Sequence, residues 1–141
     1  MYTRIVVGID GSPASVRALH WAVEEARLRG ATVRVVHAWS FPYHSGEIAH
    51  LAAESVHELL RKAAEETVET ALHGVTDADR AVIECVIVQA PPVQALLDAA
   101  RDASLLVVGS RGRGGFANLL LGSVSYQCVL HAPCPVVIVR G

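Results

Sequence analysis

Five short apolar runs, each parted from the next by a helical pattern, restrict this chain to one kind of architecture. The runs are 4–9 (RIVVGI), 32–38 (TVRVVHA), 81–88 (AVIECVIV), 104–109 (SLLVVG) and 135–139 (PVVIV). The first is continuous and β-branched, so it is predicted to be a strand covered on both faces, as in a parallel sheet. It ends at Asp10-Gly11-Ser12-Pro13. There Ser12 is a side-chain cap, and Pro13 is a first helical residue with preset φ and no amide to waste. Val16, Leu19, Val23 and Ala26 then share one helix face, and Gly30 marks its stop.

After the second run comes an aromatic loop at 39–46, with Pro42 inside it. A long amphipathic helix is predicted from Glu47 to about His73, with Leu51, Val56, Leu59, Leu60, Ala63, Val68 and Leu72 as core candidates. Residues 74–79 read as a turn. A third helix opens at Pro91-Pro92 and runs through Val93, Leu96, Leu97 and Ala100, and a fourth runs from about Ser123 to about His131. Strands alternating with helices give an α/β domain. Right-handed crossovers with helices on both faces force the strand order to reverse, and the expected order is 3-2-1-4-5. Residues 1–141 are read as one such domain, Rossmann-like in its open parallel sheet. Ligands of these sheets bind beyond the carboxyl ends of the strands flanking the reversal. The loops after the first and fourth strands should therefore meet.

Those two loops hold the least ordinary chemistry in the chain. After the fourth strand the sequence reads GSRGRGGFANLLLGS, from Gly109 to Ser123. Glycines there let backbone amides approach a ligand with no Cβ in the way. Gly122-Ser123 opens the last helix, where unpaired amides and the positive helix end favour an anion. Together they make a two-sided cradle for a polyphosphate. The Ser123 and Ser125 hydroxyls are further donors. Arg111 and Arg113 are either phosphate partners or solvated loop residues.

The spacing is G-x-x-G, nine residues, then G-S. It is similar to the ATP-binding signature of the universal stress proteins. The resemblance extends along the chain through VVGIDGS (6–12), VHA (36–38), VVGSRGRGG (107–115), LLLGSVS (119–125) and HAPCPVVIVR (131–140). It implies an adenine-nucleotide-hydrolase-like fold, an ATP ligand accompanied by Mg²⁺, and a homodimer. It places Asp10, with Ile9 before it, near the ribose or the metal-bearing end of the phosphates, and Asp10 as an indirect metal contact. It puts the backbone of Ala38 at the adenine edge and Gly109, Arg111, Gly112, Gly122, Ser123, Val124 and Ser125 along the phosphates. Asp10 has a competing role, since Asp-Gly-Ser is also good turn and capping chemistry. Two departures from the family pattern stand out. Ala90 replaces a glycine ahead of Pro91-Pro92, and Ser104 replaces an aspartate at the entry to the fourth strand.

Composition narrows the alternatives. A net charge of −2 favours neither nucleic acid nor an anionic membrane. No apolar run reaches membrane-spanning length, and the opening passes directly into a strand, so no signal peptide and a cytoplasmic location are expected. Cys85, Cys128 and Cys134 lack metal-ligand spacing and read as free buried thiols. His50, Glu54 and His57 could share a helix face, but an exposed polar face accounts for them better than zinc.

The leading functional reading is a nucleotide-dependent stress or signalling regulator. Alternatives are a low-rate ATPase or phosphotransferase at the same site, and a nucleotide-free dimeric interaction module. A G-x-x-x-x-G-K-[ST] loop is absent, and so is a G-x-S-x-G elbow. Glu84, Asp98 and Asp102 read as surface charges, and no base or water-positioning residue is evident. Cys128 and His131 are expected on the packing side of the last helix. Val136–Val139 is an uncharged strand at a sheet edge, and edges of this kind are usually covered, here by the same strand of a second copy.

Overall fold

The computed structural model describes residues 3–40, 53–111 and 121–141. Most of the aromatic loop, the predicted start of the long helix, His50, Gly112 and Arg113 lie outside them. Five strands, β1 (Arg4–Gly8), β2 (Thr32–Trp39), β3 (Ile83–Gln89), β4 (Leu105–Gly109) and β5 (Val136–Val139), form one sheet in the order β3-β2-β1-β4-β5. Every pairing is parallel. The expected order is the observed one.

Helices α1 (Pro13–Arg29) and α2 (Ala53–Ala71) cover one face, and α4 (Pro92–Ala99) and α5 (Ser123–His131) cover the other. The period-2 alternation of strands sorts the core between them. Ile5, Val7, Val33, Val35 and Val107 pack with Leu19, Ala22 and Val68 on the first face. Val6, Val36, Leu106 and Val108 pack with Leu96 and Cys128 on the second. Ile5, Val6 and Val7 are fully buried, as a central parallel strand requires.

Ser12 caps α1 as its sequence position predicts, its Oγ accepting from Ser15 N–H at 3.2 Å, and the helix stops at Gly30. The long helix packs on a narrower stripe than the sequence suggests. Ala64, Val68, Ala71 and Leu72 are buried, whereas Leu59 is 67% exposed and Ala63 is exposed too. The buried stripe runs through half-buried Leu60 to Ala64, Val68 and Ala71 at i+4 and i+3 spacing, and Leu59 and Ala63 sit one residue off it, on the solvent side. Residues read as a plain turn hold a one-turn helix, α3 (Asp77–Arg80), whose cap Thr76 accepts from Asp79 N–H at 3.2 Å.

Candidate functional site

The reversal in strand order falls between β1 and β4, and three backbone segments converge beyond the carboxyl ends of these strands. The first is the turn after β1. Asp10 Oδ1 accepts from Ser12 N–H at 2.9 Å, and the Asp10 N–H donates to Ser15 Oγ at 3.3 Å. Ser15 Oγ in turn donates to the Ser12 carbonyl at 2.9 Å. Between Asp10 and Ser12 the chain needs a left-handed residue, and Gly11 supplies it at φ 85°. Asp10 therefore does have the turn role that competes with a ligand role.

The second segment is the end of β4. A Cβ on Gly109 would fall 2.9 Å from the Ala14 backbone carbon, so only glycine lets β4 approach the first turn of α1 this closely. Ser110 is buried, its N–H donating to Val139 O at 2.9 Å. Arg111 is exposed.

The third segment is the start of α5, tied to the second by two bonds. Gly122 N–H donates to the Ser110 carbonyl at 2.7 Å, and Ser125 Oγ donates to the Gly109 carbonyl at 2.5 Å. The Ser125 hydroxyl is thus spent on the scaffold, and what it offers a ligand is its backbone amide. The first intrahelical bond of α5 is Tyr126 N–H to Gly122 O. The amides of Ser123, Val124 and Ser125 precede it, and Gly122 gives them no side-chain cap. Among the described residues these amides have no cap, and amides at a positive helix end, beside the glycine end of a strand, can bind a phosphate.

Ala38 lies two residues past Val36, where the β1–β2 pairing ends, and is half-buried against the same apolar cluster as Val124 of α5. Its neighbour His37 is buried, with Nδ1 2.7 Å from the Ile9 carbonyl. Sequence reasoning passed over His37, because a lone polar residue in a buried strand announces no partner. Beyond Ala38, Trp39 packs edge-on against His57, with ring centroids 5.1 Å apart, and His57 Nε2 lies 3.1 Å from Gln89 Oε1. Ala90, the residue departing from the family pattern, donates its N–H to the Trp39 carbonyl at 3.1 Å.

Other candidate chemistry falls away from the crevice. Cys128 is fully buried, and burial pushes its thiol up to about 11, so it stays protonated near neutrality. His131 is exposed, contrary to the expectation that it packs inward: it ends α5, where the helix face has already turned out to solvent. Cys85 is likewise exposed, on edge strand β3, and all three cysteines are free. Arg34 pairs with Glu84 and Asp102 at 3.2 Å each, and Arg4 also pairs with Asp102. These charges stitch the amino ends of the strands, opposite the crevice. Ser104 acts there too, its Oγ accepting from Thr3 N–H at 3.0 Å. Among the described residues no cluster of His, Cys, Asp or Glu is arranged to hold a metal ion, and no helix is long and apolar enough to cross a membrane.

Comparison with known proteins decides the family. The model of the universal stress protein family matches residues 1–140. The chain belongs to the universal stress protein family. A universal stress protein of Mycobacterium tuberculosis is 42% identical over 139 residues, spanning 96% of this chain but 47% of that protein. A Thermus aquaticus universal stress protein is 38% identical, covering 99% of this chain and 100% of its own. The chain thus spans about half the length of the mycobacterial relatives it matches and all of the Thermus one. UspA from Lactobacillus plantarum shares the fold, with a TM-score of 0.82 at 23% identity over 99% of this chain and 98% of that one. A universal stress protein solved in complex with cAMP is 29% identical, with a TM-score of 0.62, over 98% of this chain and 96% of that one. One from Archaeoglobus fulgidus was solved in complex with dAMP, at 26% identity and a TM-score of 0.62, over 98% of each chain. In this universal stress protein domain the crevice residues come from the turn after β1, the end of β2, the end of β4 and the first turn of α5.

Proposed function

We propose that this universal stress protein binds an adenine nucleotide, ATP with Mg²⁺, in the crevice between β1 and β4 and acts as a nucleotide-dependent regulator. The observation that carries the reading is the start of α5, without a cap among the described residues and held against the glycine end of β4 by the Gly122–Ser110 and Ser125–Gly109 bonds. Two relatives solved with cAMP and dAMP support the adenine part. In this reading Gly109, Arg111, Gly112, Gly122, Ser123, Val124 and Ser125 take the phosphates. Ile9 and Asp10 border the ribose, with Asp10 reaching Mg²⁺ indirectly through the phosphates, and Ala38 meets the base. A site for ATP implies work in the cytoplasm, where that nucleotide is held.

The same reading includes a two-fold dimer through β5. Leu106 N–H bonds to Pro135 O and Ser110 N–H to Val139 O, so alternate residues of β5 face β4. The N–H and C=O groups of Val136 and Ile138 consequently face the open edge, ready to pair with a second β5.

Calorimetric titration with ATP, with and without Mg²⁺, and with AMP and tripolyphosphate tests the ligand. Micromolar binding of ATP, stronger with Mg²⁺ and stronger than tripolyphosphate alone, is the expected result. Folded protein that takes up none of them overturns the reading in favour of an interaction module. Phosphate release measured alongside, in the parent and in Asp10→Ala, reports whether the bound ATP is hydrolysed.

A further inference from the structure

In a parallel pair, the N–H and C=O of one residue face the same neighbouring strand, and those of the next residue face the other. Ile9 N–H donates to Val36 O at 2.9 Å, so Val36 faces β1, and so does Ala38 two residues on. Trp39 faces β3, its carbonyl accepting from Ala90 N–H. If the β1–β2 ladder continued, Ala38 N–H would donate next to the Ile9 carbonyl. It does not: among the described residues Ala38 has no bond to Ile9, and the pairing ends at Gly8 with Val36. The Ile9 carbonyl is taken instead by the buried His37 ring, at 2.7 Å. Because a carbonyl can only accept, Nδ1 carries the proton.

We propose that His37 is a positioning residue that stops the β1–β2 ladder one bond early, leaving the Ala38 N–H and C=O open toward the crevice for the edge of a base. A backbone N–H beside a C=O matches a ligand edge with an acceptor next to a donor. Adenine presents that pair at N1 and the 6-amino group; guanine presents the reverse order and is rejected. The selectivity of the site for adenine thus originates partly in an imidazole that touches no ligand. This role rests on the nucleotide reading for its purpose, though not for its geometry.

The test uses ¹⁵N-labelled protein as parent, His37→Leu and His37→Asn. Asn keeps a donor near the Nδ1 position and Leu keeps only bulk. Three readouts are taken: the ¹⁵N shifts of the His37 ring, hydrogen exchange of the Ala38 amide without ligand, and affinity for AMP, GMP and tripolyphosphate. The expected ring signature in the parent is a protonated Nδ1. In His37→Leu the freed Ile9 carbonyl recaptures Ala38, so exchange of that amide slows by about tenfold, roughly the worth of one hydrogen bond. AMP affinity falls by a similar factor, tripolyphosphate affinity holds, and His37→Asn behaves as the parent. An Nε2–H ring in the parent, or an Ala38 amide equally protected in parent and His37→Leu, overturns the role. Unchanged AMP affinity in a His37→Leu protein with the slowed amide overturns its link to the base. A parent that binds no AMP yet shows the ring and amide signatures sinks the nucleotide reading while the ladder role stands. Should His37→Leu not fold, the ring signature and His37→Asn still decide the matter.

Discussion

Gly122→Asp should raise stability and abolish nucleotide binding, and the opposite signs make it the sharpest test of the α5 cradle. Gly122 caps the helix at φ −67° and ψ 164°, a conformation open to any L-residue. Aspartate is among the best caps, worth a few tenths of a kcal/mol over glycine, and a carboxylate at a helix start adds about 0.3–1 kcal/mol. For a domain of this size the two together correspond to a rise in Tm of about 2–5 °C. The same carboxylate takes the amides that a phosphate needs. Ser123, Val124 and Ser125 offer amides ahead of the first intrahelical bond. Charge-assisted bonds are worth about 1.5–3 kcal/mol each, so diverting one or two, before any charge repulsion, costs about a hundredfold in affinity. Differential scanning fluorimetry reads both effects. ATP at a hundredfold excess over Kd stabilises the parent by about 2.7 kcal/mol, while the variant melts slightly higher and does not respond to ATP. Ser123→Asp, at an exposed position in the same turn, repeats the charge effect where fit is not in question. A variant that still shifts with ATP as the parent does would refute the cradle.

Further outcomes follow from other contacts. Gly109→Ala drives a Cβ to 2.9 Å from the Ala14 backbone and should destabilise the fold by about 1–3 kcal/mol, visible as a lower urea midpoint. Burial raises the Cys128 thiol from 9.0 to about 11. The folded state therefore favours the protonated form; its contribution is intact below pH 9.0 and is lost as pH rises toward 11. Chemical denaturation from pH 8 to 11 should show that decline, flattened in Cys128→Ala. Ile138→Pro removes an outward N–H without touching the bonds to β4, so sedimentation should show a weaker dimer while the circular dichroism spectrum keeps its shape. Asp102→Asn, at the amino ends of the strands, should leave ATP affinity unchanged in the calorimeter.

The sheet order and the location of the crevice were legible because both follow from rules about whole elements. Alternation sets the fold class, crossover handedness forces the reversal, and Ser12-Pro13 marks a helix start whatever surrounds it. Details that depend on a partner across the sheet were not. Leu59 looks like core by periodicity, yet the face that meets the sheet runs through Ala64, Val68 and Ala71, one residue off Leu59, and only the partners across the helix reveal which of the two stripes is buried. The α3 turn was signalled by Thr76 ahead of Asp79, a cap in plain view that the length of the segment hid. Ser125 reads as a phosphate donor by its position, and only the Gly109 carbonyl shows where its proton goes. His37 depends on a carbonyl 28 residues earlier in the chain, a pairing that no local pattern encodes.

The bond between Gly122 and Ser110 ties the end of β4 directly to the start of α5. Both residues belong to the scaffold, so any connection between them has its closure entropy met once, and doubling the length of a connection adds only about 0.6 kcal/mol. Related domains could exchange the connection, lengthen it or load it with new side chains while β4 and α5 stay in place. A natural graft point for changing what the protein recognises therefore lies just above Ser110.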